Sequence, residues 1–158
     1  MSGEFRPIVA DFPAGIVSSP TVIAEQEAIV FRLTNDQESD LYTLSLESNR
    51  IQRLTFNAQE EEYVSVSPAG NWITWSYELE GAARRIYGSE INFDAPNRLS
   101  ARRLTNGPDD QVQFFSSVSP DGNWLFYDAT VGGQFVILRQ SLSNSQLPPE
   151  QLTTAGSE

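Results

Sequence analysis

The chain of 158 residues contains no cysteine, no histidine and no lysine. Without cysteine, it can have no disulfide, no catalytic thiol and no Cys-ligated metal. Without histidine, the commonest general base, the Ser-His-Asp triad and imidazole metal ligands are all excluded. Its serines therefore lack an obvious activating base. We expect a non-catalytic chain that works without a cofactor.

Long apolar runs and basic side chains are also scarce. No run approaches the roughly 18 residues of a membrane-spanning helix, and the N-terminus lacks the basic and apolar segments of a secretory signal. We expect no membrane insertion and a cytoplasmic location, or a periplasmic one if a signal sequence has been removed. Ten arginines face 21 acidic residues, for a net charge of −11. This balance argues against nucleic acid and fits a basic partner, or solubility alone.

What the sequence does contain is a repeated ten-residue phrase. Residues 66–75 read VSPAGNWITW, and residues 118–127 read VSPDGNWLFY. Proline presets φ for a turn, glycine accepts a positive φ, and the apolar run that follows favours a strand. Each phrase therefore predicts a strand, a tight turn and a second strand, and two copies indicate a repeat protein. Trp72 and Trp124 hold equivalent positions and should pack between repeats.

A Leu-Thr pair closes each repeat, at residues 54–55, 104–105 and 152–153. Strand signals recur about every ten residues, and no helical period is convincing. Four short strands in about 50 residues are typical of a β-propeller blade. We therefore predict an all-β β-propeller with three four-stranded blades. The predicted boundaries are an N-terminal arm at 1–15, then a propeller part at 16–158 with blades at about 16–56, 57–106 and 107–154.

The phrase Ser-Pro-Asp-Gly-Asn-Trp-Leu-Phe at 119–126 and the closing Arg-Leu-Thr at 53–55 and 103–105 resemble the TolB-like blade repeat, which is related to WD-type propellers. The resemblance covers about residues 16–154. It is strong in the third unit, good in the second, where Ala69 replaces the aspartate, and partial in the first. It implies a propeller that binds protein partners. Because prolyl-oligopeptidase-type enzymes also contain such repeats, the alternative is a propeller domain whose catalytic domain lies outside this chain.

Three blades are too few to close a ring, because propellers have roughly four to eight. An open arc would leave apolar blade faces bare, over more area than a soluble monomer normally tolerates. The simplest closure joins two copies about a two-fold axis, with the last blade of one copy against the first blade of the other. We therefore expect half of a six-bladed ring, closed by homodimerisation. A fragment of a longer propeller, or completion by another protein, remains the alternative.

Acidic residues concentrate in the loops that a propeller places on one face, between second and third strands and between fourth and first strands. We call the candidate site there the acidic channel mouth. It comprises Glu60, Glu61, Glu62, Asp109, Asp110, Asp36 and Asp40. It would attract a basic protein or peptide, or a divalent cation, although no calcium-binding pattern is present and we expect no metal site. A solvated acidic rim without a ligand, or a ring that binds a sugar or metal ion on its axis, are the alternatives.

None of these carboxylates lies in an apolar stretch of sequence that would raise its pKa. We therefore expect no general acid or base among them.

Overall fold

The computed structural model describes residues 12–36, 38–56, 60–78, 81–91, 99–144 and 146–154. Of the predicted N-terminal arm, only residues 12–15 fall within this range. The strands are β1 (Ile16–Ile23), β2 (Ala28–Thr34), β3 (Ser39–Ser45), β4 (Ile51–Arg53), β5 (Glu62–Val66), β6 (Trp72–Tyr77), β7 (Arg85–Glu90), β8 (Arg102–Arg103), β9 (Gln113–Val118), β10 (Trp124–Val131), β11 (Gln134–Ser141) and β12 (Glu150–Gln151). A single turn of 3-10 helix, Ala24–Gln26, separates β1 from β2.

The strands form three antiparallel sheets, each of four consecutive strands in sequence order. The first sheet is β1 to β4, the second is β5 to β8, and the third is β9 to β12. Each sheet is thus a simple meander, the architecture of a propeller blade. The prediction of an all-β chain with three four-stranded blades is confirmed.

The blades are arranged side by side, with β1 packed on β5 and β5 on β9. Alternation along β6 sends Ile73 and Trp75 towards the first sheet and Trp72 towards the third. One buried cluster fills the space between the first and second sheets: Ile23, Val30, Leu41, Leu54, Ile73, Trp75, Tyr87 and Ile91. Another fills the space between the second and third: Trp72, Ile86, Leu104, Val118, Leu125, Tyr127, Ala129, Val136 and Leu138. Trp72 therefore packs between blades, as predicted. The same prediction is wrong for Trp124, which is only half-buried, because its side of β10 faces away from the second sheet.

Serine organises the repeated turn. In the second blade, the Ser67 hydroxyl accepts the backbone N–H of Trp72 at 3.0 Å, and Gly70 N–H donates to the Ser67 carbonyl at 2.8 Å. In the third blade, Ser119 accepts from Trp124 at 2.9 Å in the same way. The serine hydroxyl thus satisfies the first N–H of the strand that follows the turn.

The closing threonine of each repeat ties the fourth strand to the third. Its hydroxyl accepts the backbone N–H of a third-strand residue, in the pairs Thr55 with Leu41, Thr105 with Ile86, and Thr153 with Ile137. This recurring bond explains why a threonine ends each blade.

The two ends of the arc differ. On the outer face of the first sheet, Phe31 and Leu33 are each 2% exposed, and the ring of Phe12 lies 5.3 Å from that of Phe31. On the outer face of the third sheet, Phe135 and Ile137 are 63% and 45% exposed. In the part of the chain that the structure describes, no packing comparable to that between neighbouring blades joins the third sheet to the first. The arc is therefore open at its third blade.

Within the described ranges, the structure contains no helix of the length and apolar character that a membrane crossing requires.

Candidate functional site

The first strand of each blade carries an irregularity at a similar position. The pairing register shifts between Ser18 and Thr21 in β1 and between Glu62 and Ser65 in β5. In β9, two residues, 114 and 115, lie opposite one residue of β10. Such β-bulges interrupt the backbone ladder and redirect side chains, and they are common beside binding and active sites.

Backbone strain accompanies two of these bulges. Ser19 and Tyr63 have φ values of 53° and 52°, a region that side-chain-bearing residues visit rarely. Strain of this kind is retained only where the surrounding structure enforces it, and it is concentrated at functional sites. Strained backbone and β-bulges thus coincide at the inner edge of the arc, at Ser19 and Tyr63.

A cavity of about 460 Å³ lies at this edge, where the first strands of the three blades meet. We call it the axial groove. It is lined by Ser19, Arg32, Glu62, Tyr63, Val64, Ser65, Phe115 and Ser116. Strained backbone, a cation, an anion and two aromatic rings thus meet in one concave surface.

Arg32 joins the first two blades at the groove. Its Nε donates to Ser18 Oγ at 3.0 Å, and its Nη1 donates to the carbonyl of Glu61 in the next blade at 3.2 Å. Both acceptors are neutral. Arg32 is the one charged residue of β2, which reads AIVFRLT, and that isolation is the sequence signal that could have identified it.

Aromatic rings and a second arginine form the rim of the groove. Arg84 makes an ion pair with Glu62 at 2.5 Å, and its guanidinium carbon lies 5.7 Å from the Tyr63 ring centre and 5.8 Å from that of Phe114. Tyr63 meets Phe115 edge to face, with ring centres 4.4 Å apart. Sequence reasoning missed Tyr63 and Phe115 as site residues, because only the bulges turn them to the groove.

The predicted acidic channel mouth divides into exposed and structural carboxylates. Glu60, Asp36, Asp109 and Asp110 are exposed. The side chain of Glu61 is buried, and Glu62 lies in the axial groove, paired with Arg84.

Asp40 is part of the first blade rather than of a solvated mouth. It is buried, pairs with Arg53 at 2.5 Å and accepts the Thr55 hydroxyl at 3.2 Å. Burial raises the pKa of Asp40, although Arg53 beside it acts in the opposite direction. The expectation that no carboxylate of the mouth has a raised pKa is therefore wrong for Asp40, because strand β3 carries this residue into the protein interior.

Arg85 fixes the loop that carries the other two aspartates. It is buried, and it donates to the carbonyls of Pro108 at 2.7 Å, Gly107 at 3.1 Å and Gln111. These bonds therefore fix the backbone of the loop before β9, which carries Asp109 and Asp110. Among the described residues, no group of three or more carboxylates converges as a metal ion would require.

No family model and no curated protein matches this sequence. Solved structures do. TolB from Acinetobacter baumannii aligns with a TM-score of 0.62 and 17% identity, over 85% of this chain and 31% of that one. A puromycin hydrolase aligns with a TM-score of 0.70 and 16% identity, over 95% of this chain and 25% of that one. The β-propeller domain of the Trilobed protease from Pyrococcus furiosus aligns with a TM-score of 0.62 and 14% identity, over 88% of this chain and 43% of that one.

The chain thus spans less than half the length of each of these proteins. Their identities are low, so the likeness concerns the fold. Together with the three meandering sheets, it confirms what the repeats implied: this chain has the fold of the TolB-like β-propellers.

Proposed function

We propose that this protein is a non-catalytic binding scaffold that takes an extended, basic segment of a partner protein in the axial groove. The axial groove itself is the observation that carries the proposal. Bulged residues such as Ser19 and Tyr63 stand outside the regular ladder, so their backbone groups are suited to bonding an added peptide.

The net charge of the chain supports a basic partner. Glu60, Asp109 and Asp110 are exposed, and the chain carries a net charge of −11. Such a field attracts cationic segments and speeds their encounter. The rings of Tyr63 and Phe115 can then accept a lysine or arginine side chain through cation–π contact.

Binding of a basic peptide, compared with an acidic peptide of the same length, tests the proposal by calorimetry. Phe115→Ala should weaken binding about fivefold, since a cation–π contact is worth about 1 kcal/mol. Leu147→Ala, at an exposed apolar residue that does not line the groove, is the matched control. Equal binding of both peptides, or equal loss in both variants, would contradict the proposal.

The charge contribution has its own control. Asp109→Asn with Asp110→Asn should slow association, and the effect should shrink as salt is added. Glu47→Gln with Glu90→Gln removes the same charge from two exposed residues that do not line the groove, one just after β3 and one at the end of β7. If this control pair slowed association as much, the binding would reflect net charge alone.

We also propose that the working form contains two copies of the chain. The exposed outer face of the third sheet supports this, since monomers rarely leave large apolar faces bare. Sedimentation or light scattering should give a mass of about 35 kDa, twice the 17.6 kDa chain. A mass of 17.6 kDa across the concentration range would contradict it.

The likeness to a puromycin hydrolase supports a second candidate: the propeller domain of a prolyl-oligopeptidase-type hydrolase. A fluorophosphonate probe applied to the natural gene product separates the two candidates. Labelling of a polypeptide much longer than this chain supports the hydrolase. An unlabelled gene product that binds the basic peptide supports the scaffold.

A further inference from the structure

The axial groove contains an arginine that makes no ion pair within the part of the chain that the structure describes. Arg32 lines the groove and is half-buried. Its hydrogen bonds go to the Ser18 hydroxyl and to the backbone carbonyl of Glu61, and both acceptors are neutral. A guanidinium that is partly removed from water and bonded only to neutral oxygens favours an anionic partner.

The guanidinium of Arg32 keeps donors that a ligand could reach. Its two hydrogen bonds use Nε and Nη1. Nη2 donates to none of the described residues, and it is not buried. A carboxylate in the groove could therefore accept charge-assisted hydrogen bonds from this end of the side chain, without displacing the bonds that join the first two blades.

The other charges at the groove are already paired. Glu62 binds Arg84 at 2.5 Å, and Arg84 also faces the rings of Tyr63 and Phe114. The charge left over in the lining is therefore the positive charge of Arg32, although the chain as a whole carries −11. A ligand that suits both is positive overall and carries one negative group where it meets Arg32.

The lining changes in character from the first blade to the third. The first blade contributes Arg32 and the exposed Ser19, whose hydroxyl can donate to the same anion as the arginine. The second and third blades contribute the rings of Tyr63 and Phe115, which suit a cationic side chain. The groove thus has an end that favours an anion and an end that favours a cation.

We propose that the axial groove binds the C-terminal end of a basic polypeptide segment, with the terminal carboxylate on Arg32. The chain terminus is the one anion that a basic segment carries without any acidic side chain, and capture of a terminal carboxylate is a known mode of peptide recognition. This inference rests on the binding function proposed above. It identifies which part of the partner enters the groove and which way that segment runs.

Three forms of one basic peptide test the proposal by calorimetry. The first has a free C-terminal carboxylate, and the second is amidated. The third is amidated and has an aspartate in the middle, so that its net charge equals that of the first. The free acid should bind about tenfold more tightly than either other form, the gain expected from charge-assisted hydrogen bonds to a carboxylate. Attraction by net charge alone predicts tightest binding for the second form, because that peptide is the most positive.

A variant of Arg32 then locates the carboxylate. Arg32→Gln removes the positive charge and keeps a side chain that can still donate a hydrogen bond. In this variant the advantage of the free acid over the amidated peptide should disappear. Arg50→Gln, at an exposed arginine that does not line the groove, is the matched control and should keep the advantage of about tenfold. Circular dichroism confirms folding, and the peptide comparison on the wild-type protein depends on neither variant.

The outcomes separate recognition of a chain terminus from binding itself. If none of the three peptides binds, both proposals fail. If the amidated peptide or the aspartate peptide binds the wild-type protein as tightly as the free acid, the groove does not recognise a C-terminus, and the proposal of a basic segment stands. An advantage of the free acid that persists in folded Arg32→Gln overturns Arg32 as the residue that binds the carboxylate.

Discussion

Gly70 lies so close to Ile23 that a Cβ atom on the glycine would stand 2.7 Å from Cγ2 of the isoleucine. The repeated turn of the second blade thus rests on the end of β1 in the first blade. Its counterpart in the third blade, Gly122, has only Asn71 Nδ2 nearby, at 3.8 Å. The two glycines share their backbone conformation, with φ of 69° and 73°. They differ only in what surrounds them.

This difference predicts unequal costs for the same substitution. Gly122→Ala should lower the free energy of unfolding by about 1 kcal/mol, from strain at positive φ alone. Gly70→Ala adds a steric clash and should cost about 2–4 kcal/mol in total. Urea denaturation of both variants measures the difference. Equal losses would mean that Ile23 moves aside without cost.

The closing threonines allow a second matched comparison. Thr105 is fully buried, and it accepts the N–H of Ile86 at 3.1 Å. Thr105→Val keeps the shape but removes the partner of that N–H and also the hydroxyl that donates to Gln113 Oε1, and each loss should cost about 1–3 kcal/mol. Thr153 makes the same bond to Ile137 at 2.8 Å but is exposed, so water can replace its hydroxyl.

Thr153→Val should therefore cost well under about 1 kcal/mol. Denaturation midpoints of the two valine variants decide the point. A cost for Thr153→Val as large as that for Thr105→Val would show that the bond matters irrespective of burial.

Arg85 should hold the loop before β9 in place, because its guanidinium group donates hydrogen bonds to three carbonyls of that loop. Lysine cannot reach the three carbonyls of Gly107, Pro108 and Gln111 at once. We expect Arg85→Lys to cost about 1–3 kcal/mol and to speed amide hydrogen exchange in residues 106–112. Arg102→Lys, at an exposed arginine of β8, is the control and should leave exchange in this loop unchanged. Unchanged amide exchange in Arg85→Lys would show that other contacts, and not the Arg85 guanidinium, hold the loop in place.

The fold could be predicted because its determinants are local and repeated. Ser67 and Ser119 each open a turn whose bonds lie within six residues, and the closing threonine marks the end of every blade. A pattern of that kind is visible in sequence without knowledge of which strands pair. The resemblance to TolB-like repeats rested on these same residues.

The site could be predicted only in part, because its determinants lie between strands. Tyr63 is an ordinary strand residue in the sequence, and the bulge that turns it depends on its register with β6. Asp40 was assigned to a loop mouth, whereas the structure pairs it with Arg53 across neighbouring strands. Sorting carboxylates by loop predicts which end of a blade they reach, and it cannot show which arginine has already neutralised them.

The raised pKa of the buried Tyr127 predicts how the stability of the protein changes at alkaline pH. Its ring is buried between the second and third sheets, and its hydroxyl has no hydrogen-bond partner among the described residues. Burial raises the pKa of Tyr127 from 10.0 to about 12, although Arg85 nearby lowers it in part. The unfolded chain therefore releases this proton near pH 10, while the folded protein still holds it. Stability must then fall as pH rises from about 10 towards 12.

Tyr127→Phe removes the ionising group and should flatten that alkaline loss. At neutral pH, the variant should be as stable as the wild type or up to about 1 kcal/mol more stable, since it no longer buries an unpaired hydroxyl. Urea denaturation at pH 8 and at steps up to pH 11.5 measures both effects. A variant that is less stable at pH 8 would show that the hydroxyl is bonded. An unchanged alkaline slope would show that other groups cause the loss, and that the packing between these two blades tolerates a charge at Tyr127.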